Sequence, residues 1–136
     1  MLDDLQRDDR AFVGRRAVER ELADRTSRWA MGGLVVDWRD YDRVYTEAWQ
    51  IPPKDHTPVL QDWMVYDEGH QRRVGYATSF MYSPMLQRHV AIARVLPELA
   101  GPGTSVKLEF TVDHHYEQVA AQVARLPLLN LERKTA

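Results

Sequence analysis

Residues 73–96 read RVGYATSFMYSPMLQRHVAIARVL, and this stretch decides the fold class. Arg73 to Phe80 is a turn-bounded run rich in aromatic and β-branched residues, which predicts a strand. Tyr82-Ser83-Pro84 breaks it, because proline offers the ladder no amide donor. His89 to Leu96 then alternates. Val90, Ile92 and Arg94 fall on one side, and Ala91, Ala93 and Val95 on the other, the period of two that a pleated strand imposes. Upstream, Leu60 to Tyr66 predicts another strand, joined to 73–80 as a hairpin through Asp67-Glu68-Gly69-His70-Gln71. Downstream, Pro97 to Thr104 is a connection built on Gly101-Pro102-Gly103. Val106 to Val112 alternates strictly between apolar and polar and is the clearest strand of the chain.

The N-terminal part reads differently. Residues 1–10 hold four Asp and two Arg and few apolar side chains, so residues 1–11 are expected to be a flexible lead-in. From Phe12, Ala17, Val18 and Leu22 recur at helical spacing among charged residues, which predicts a short helix from Gly14 to about Asp24, with Glu21 and Arg25 as a favourable i,i+4 pair. Trp29 to Trp38 predicts a strand around Leu34-Val35-Val36, where Gly32-Gly33 marks a bulge or a close backbone approach. Tyr41, Val44, Tyr45, Ala48 and Trp49 line one face of a second short helix, with Asp40 as its N-cap and Pro52-Pro53 as its stop. Tyr116 to Leu126 fits both periods. Tyr116, Val119, Ala120 and Val123 suit a helix, while Ala121, Val123 and Arg125 suit a strand, and pattern alone favours the helix slightly. The residues by themselves thus predict an α+β chain, mainly β: an N-terminal helix followed by five or six antiparallel strands.

Composition limits the function. The 136 residues make one domain of ordinary composition, 44% hydrophobic and 28% charged. Eighteen basic residues against 20 acidic leave a net charge of −2, which is no electrostatic footprint for nucleic acid. The absence of cysteine removes disulfides, thiolate nucleophiles and Cys-ligated zinc. No apolar run approaches a membrane span, and the N-terminus is acidic where a signal peptide is basic. A soluble, cytoplasmic protein is expected, without membrane or nucleic-acid partners.

Residues able to do chemistry are sparse. Of the five histidines, His56 and His70 fall in turns and His89 opens a strand. His114 and His115 are adjacent and would point to opposite faces of a strand. Asp113 and His115 would share a face, as a base and its orienting carboxylate would; the competing reading is a solvated strand end. The chain has no metal-ligand spacing, nucleophile elbow, or phosphate- or dinucleotide-binding loop. Asp67 and Glu68 occupy the hairpin turn. Trp29, Trp38, Trp49 and Trp63, with six tyrosines, could stack on a flat ligand, although core packing accounts for them as readily. No catalytic or metal-binding residue is assigned, and cofactor-binding residues are left unassigned.

Several segments, in order, resemble the C-terminal part of the glycine-cleavage T-protein family, which comprises tetrahydrofolate-dependent aminomethyltransferases, folate-dependent demethylases and related domains. Phe12-Val13-Gly14-Arg15-Arg16-Ala17-Val18 resembles the motif that opens the helix before the family's last domain. Gly33-Leu34-Val35-Val36 is similar to its first strand. Val74 to Leu86, with Thr78-Ser79 and Ser83-Pro84, is similar to the family's G-x-x-T-S-x-x-x-S-P-x-L loop, and Val90 to Val95 to the strand after it. Gly103 to Val106 and Ala121 to Leu128 complete the series, and 130–136 resembles tails of the demethylase and amine-oxidising branches. Residues 39–58 look like an insertion, and Thr57-Pro58 stands where a proline–arginine pair is common.

The resemblance implies a small antiparallel six-stranded β-barrel over residues 12–136, with its preceding helix and with 116–126 as the last strand. It also implies a division of labour. In this family three domains surround folate, and the catalytic carboxylate and most pterin contacts lie in the N-terminal domains. A barrel of this kind would close and support a tetrahydrofolate site shared with a partner, either a T-protein-like folate-binding N-terminal subunit or another copy in a homo-oligomer, for methyl or aminomethyl transfer. An exposed apolar face would serve the docking. The alternative is a stand-alone, non-catalytic protein-interaction barrel.

Overall fold

A computed structural model describes residues 11–69 and 71–129. The lead-in expected over 1–11 lies, except for Ala11, outside the described residues, as do His70 and the tail from 130 onward. Helix α1 (Arg15–Asp24) precedes strand β1 (Ala30–Val36), helix α2 (Trp38–Glu47) and strands β2 (Trp63–Asp67), β3 (Arg73–Ser83), β4 (Arg88–Val95), β5 (Ser105–Val112) and β6 (His115–Ala124). The strands close into a barrel in the order β1-β4-β3-β2-β5-β6, every neighbour antiparallel. β1 closes it: Gly33 pairs with Ile92 of β4 on one side and with Ala124 of β6 on the other. Closure leaves no sheet edge to aggregate.

Inward positions follow strand parity. Leu34, Val65, Val74, Val106, Leu108 and Val119 are fully buried in the barrel, and burying each such side chain is worth about 1.5–3 kcal/mol. The bore is narrow, so one wall needs glycine. A Cβ on Gly75 would run into the Arg94 carbonyl and come within 2.9 Å of the Val95 Cα, both backbone atoms that cannot swing away. At Gly33 the close approach expected from the sequence is a side chain, Leu128, crossing the outside of β1.

Several expectations need correction. The last segment is the strand that the resemblance implied, against the slight helical preference of the pattern alone: Val119, Ala121 and Val123 point inward from β6. β1 ends at Val36 and α2 begins at Trp38, so Asp37, not Asp40, is the N-cap; its carboxylate accepts from the amides of Arg39 and Asp40. Trp49 leaves the apolar face, because α2 ends at Glu47 and the chain turns left-handed at Trp49, which is 97% exposed. β2 begins at Trp63, not Leu60, and only Val59 bridges to β3 before it. β3 runs through Tyr82 and Ser83, and the break comes at Pro84. Glu21 takes the Ser27 hydroxyl, while Arg25, expected to pair with it, caps α1 in a left-handed conformation. α1 starts after Gly14 as expected but buries no residue.

Gly75→Ala should destabilise the barrel by about 1–3 kcal/mol, because the added methyl overpacks a rigid wall. Gly32→Ala, whose nearest neighbour would be the Val123 methyl at 3.5 Å, should be far milder. Urea unfolding of the two variants beside the parent measures the difference.

Candidate functional site

Helix α2 stoppers one end of the barrel. Its inner face delivers Tyr41 and Val44 into the core. The Tyr41 ring lies edge-on to Phe110 at 5.2 Å between centroids and close to His89 at 4.2 Å. Phe80 stacks on the His89 ring at 5.4 Å and meets Trp63 and Phe110 at 5.6 and 5.0 Å. Contacts of this geometry add to the value of burial alone.

Asp40 fixes the helix. Where β1 ends, the Asp37 amide donates to the Ala120 carbonyl at 2.8 Å, continuing the ladder for one more step. The Ala120 amide then has no β1 carbonyl to reach and donates to the Asp40 carboxylate at 2.7 Å. A side chain thus takes over from the backbone. Hydrogen bonds to a charged group are worth about 1.5–3 kcal/mol. Burial pushes the Asp40 carboxyl up, but the Ala120 amide, Arg43 and Lys107 outweigh it and hold the group below its ordinary value. Arg43 bonds it at 2.8 Å, and the Lys107 ammonium stands 3.9 Å away.

His89 is the buried polar side chain of the core, 4% exposed. Its Nε2 is 2.9 Å from the Pro53 carbonyl; a carbonyl only accepts, so Nε2 carries the proton. That bond pins the proline-rich loop to the barrel. The loop is held further by the Tyr82 amide donating to the Asp55 carbonyl at 2.7 Å and by reciprocal bonds between Val59 and Phe80 at 2.9 and 3.1 Å.

Two concavities result. One, of about 400 Å³, opens between α2 and the loop; Tyr41, Tyr45, Trp63, Phe80 and Phe110 line it, with Pro53, Asp55, Val59, Gln61 and Thr111 around them. The other is an outer groove of about 440 Å³ across β1, β6 and β5 beside the start of α2, where Arg39, Arg88 and Lys107 stand with Asp37 and Glu68.

The sequence-derived candidates scatter. His56 is exposed in the loop, and Asp113, His114 and His115 are exposed. Asp113 and His114 are the left-handed turn between β5 and β6, so Asp113 and His115 do not share a strand face. Both border a small cavity with Glu47 and Glu117 at the end of α2. Asp67 organises the hairpin by accepting from the Gln71 and Arg72 amides, and Glu68 faces the outer groove. Trp63 is core, Trp29 packs edge-on against Tyr76, and Trp38 is half-exposed. Among the described residues no three His, Asp or Glu side chains are grouped to hold a metal ion. Sequence reasoning missed the Asp40 clasp and the burial of His89. The inward parity of His89 with Ala91 and Ala93 was the available signal.

The model of the glycine cleavage T-protein C-terminal barrel domain matches residues 48–130. The chain belongs to that family. The T-protein barrel also matches a solved fold, the crystal structure of glycine cleavage system aminomethyltransferase T from Bartonella henselae, with a TM-score of 0.61 and 20% identity over 87% of this chain. The alignment spans 26% of that protein's length. No curated protein matches the chain in sequence. The matched family segment runs from the end of α2 through β6, and β1, which precedes it, completes the barrel.

His89 gives this T-protein barrel a pH signature. Burial pushes its imidazole below the ordinary 6.5; the Pro53 bond opposes that shift, and Lys54 adds to it. Between the two values the unfolded chain binds more protons than the folded one. Stability therefore falls as pH drops below 6.5 and levels off beneath the folded value. His89→Gln keeps a donor for Pro53 and removes the titration, so denaturation midpoints from about pH 7.5 to about pH 5.5 should slope less than the parent's.

Proposed function

We propose that this barrel is the C-terminal part of a tetrahydrofolate-dependent aminomethyl- or methyl-transferring assembly. It closes and supports a folate site whose catalytic and pterin-holding groups belong to other T-protein-like domains, on a partner subunit or joined to this one. Family membership over residues 48–130 carries the reading. The chain's 26% share of the similar aminomethyltransferase supports it, since most of that protein lies outside the matched part.

The surface suits such a role. Met31 of β1 and Ile92 of β4 lie diagonally across one ladder on the outer wall, 56% and 41% exposed. On the N-terminal side, just before α1, Phe12 is 41% exposed and Val13 fully exposed, and the helix itself buries no residue. Apolar side chains exposed here support a reading in which another domain packs on this face. The outer groove supplies the complementary electrostatics. Its arginines offer planar, two-pronged donors to carboxylates such as those of a folate tail, and Trp38 beside Arg39 offers a ring. In this reading the barrel's own residues hold the cofactor's outer end and exclude water, and bond-making is left to the other domains.

Mixing the chain with a T-protein-like folate-binding N-terminal portion should give a complex that binds tetrahydrofolate more tightly than that portion alone. Met31→Asp together with Ile92→Asp should weaken assembly by at least about tenfold, because two apolar side chains lose their burial. Sedimentation for assembly and tryptophan fluorescence for folate provide the readouts. Tight association with other proteins and no response to folate would favour the non-catalytic interaction barrel instead.

A further inference from the structure

The cleft beside α2 marks a local gap in the barrel's hydrogen bonding. β2 pairs with β5 only between Val65–Asp67 and Val106–Leu108, while β5 runs on to Val112. The end of β5 therefore has a strand beside it on the β6 side alone. Register says which backbone groups are left over. At the other end of the β5–β6 ladder the Val123 amide donates to the Thr104 carbonyl at 2.9 Å. Antiparallel partners alternate between bonded and non-bonded pairs, so the even-numbered residues of β5 direct their backbone groups to β6 and the odd-numbered ones turn theirs away. For Lys107 that is toward Tyr66 of β2. For Thr111 it is toward the cleft, which Thr111 lines. Thr111 is exposed, and among the described residues no strand or bridge pairs with it on that side. At β6 a similar shortage is met by the Asp40 carboxylate on the Ala120 amide.

The opposite wall is held elsewhere. Val59 and Phe80 exchange two backbone bonds, and the Tyr82 amide takes the Asp55 carbonyl, so this segment is committed to β3. Lengthening β2 toward its N-terminus would not fill the gap well. Trp63 and Val65 are its inward residues, and inward positions repeat every second residue, so Gln61 would carry an amide into an aromatic core. The space left is about 400 Å³, enough for a small ligand or a few side chains. Val59, 39% exposed, and half-buried Tyr45 and Phe80 offer it apolar surface.

We propose that this gap receives a short extended segment of a protein partner, which adds to β5 as a strand by bonding the Thr111 amide and carbonyl. Unpaired main-chain groups on a strand select an extended main chain. Charge sets the flanks of that segment. Residues 54–63 and 109–113 carry Lys54 against Asp55, Asp62, Glu109 and Asp113, which favours basic residues on either side of an alternating apolar centre. The site is independent of the folate role proposed above, and it lies on strands other than those of Met31 and Ile92.

The probe is the capped hexapeptide Lys-Val-Thr-Val-Thr-Lys, titrated into the full chain while backbone amide shifts and hydrogen exchange are followed by NMR. Saturable shifts are expected at 109–112 and 59–63, with exchange of the Thr111 amide slowed severalfold at saturation. The same peptide N-methylated at its four central residues has lost those donors and should bind at least about tenfold more weakly. Glutamate in place of both lysines should weaken binding severalfold. Thr111→Pro takes no bond from β6 and should also weaken it severalfold, with the shifts of the other strands reporting an intact barrel; should that variant fail to fold, the N-methylated peptide decides. A Thr111 amide already protected without peptide would overturn the proposal, because the chain itself or a second copy would then fill the gap. Equal binding of the N-methylated peptide, a linear response, shifts on another surface, or unchanged affinity in a folded Thr111→Pro would overturn it as well.

Discussion

Closure of a narrow six-stranded barrel is the constraint on which the rest of this structure depends. The strand that completes the cylinder, β1, is the first in sequence, and it seats between β4 and β6. It is too short to satisfy the whole of β6, and the chain leaves the ladder after Val36. That shortfall creates the site. Asp37 makes one last backbone bond, α2 begins, and Asp40 returns a carboxylate to the Ala120 amide that β1 no longer reaches. The helix so fixed drops Tyr41 and Val44 into the open end, and the aromatic cleft forms at its side.

Much of this was legible in the sequence where one face of a strand is dry and the other wet. Val106 to Val112 lies between core and solvent, so its alternation is plain, and β4 is nearly as clear. β6 was ambiguous for a physical reason. Ala120 points outward yet lies beneath α2, so an apolar residue appears where a solvent-facing strand would place a polar one. The extra position mimics a helical stripe. The resemblance to T-protein domains resolved it correctly, because closure demands a sixth strand there.

The site was less legible than the fold. Asp40 reads as an ordinary cap, being an acidic residue near a helix start, and the bond that matters joins it to a residue 80 positions away. The cleft draws on α2, the loop, β2, β3 and β5, and no local motif unites them. Trp49 misled because helical spacing cannot register that the helix ends two residues earlier. Asp113 and His115 misled because the turn between β5 and β6 has only two residues, and it takes Asp113 out of the strand.

Such a barrel is complete as a fold, while the chemistry proposed for it is shared. The most direct test is hydrogen–deuterium exchange of the barrel alone and in the presence of T-protein-like folate-binding domains with tetrahydrofolate. The account predicts added protection along the outer face of β1 and β4, around Met31 and Ile92, and at Phe12 and Val13. An exchange pattern identical with and without those domains would contradict it.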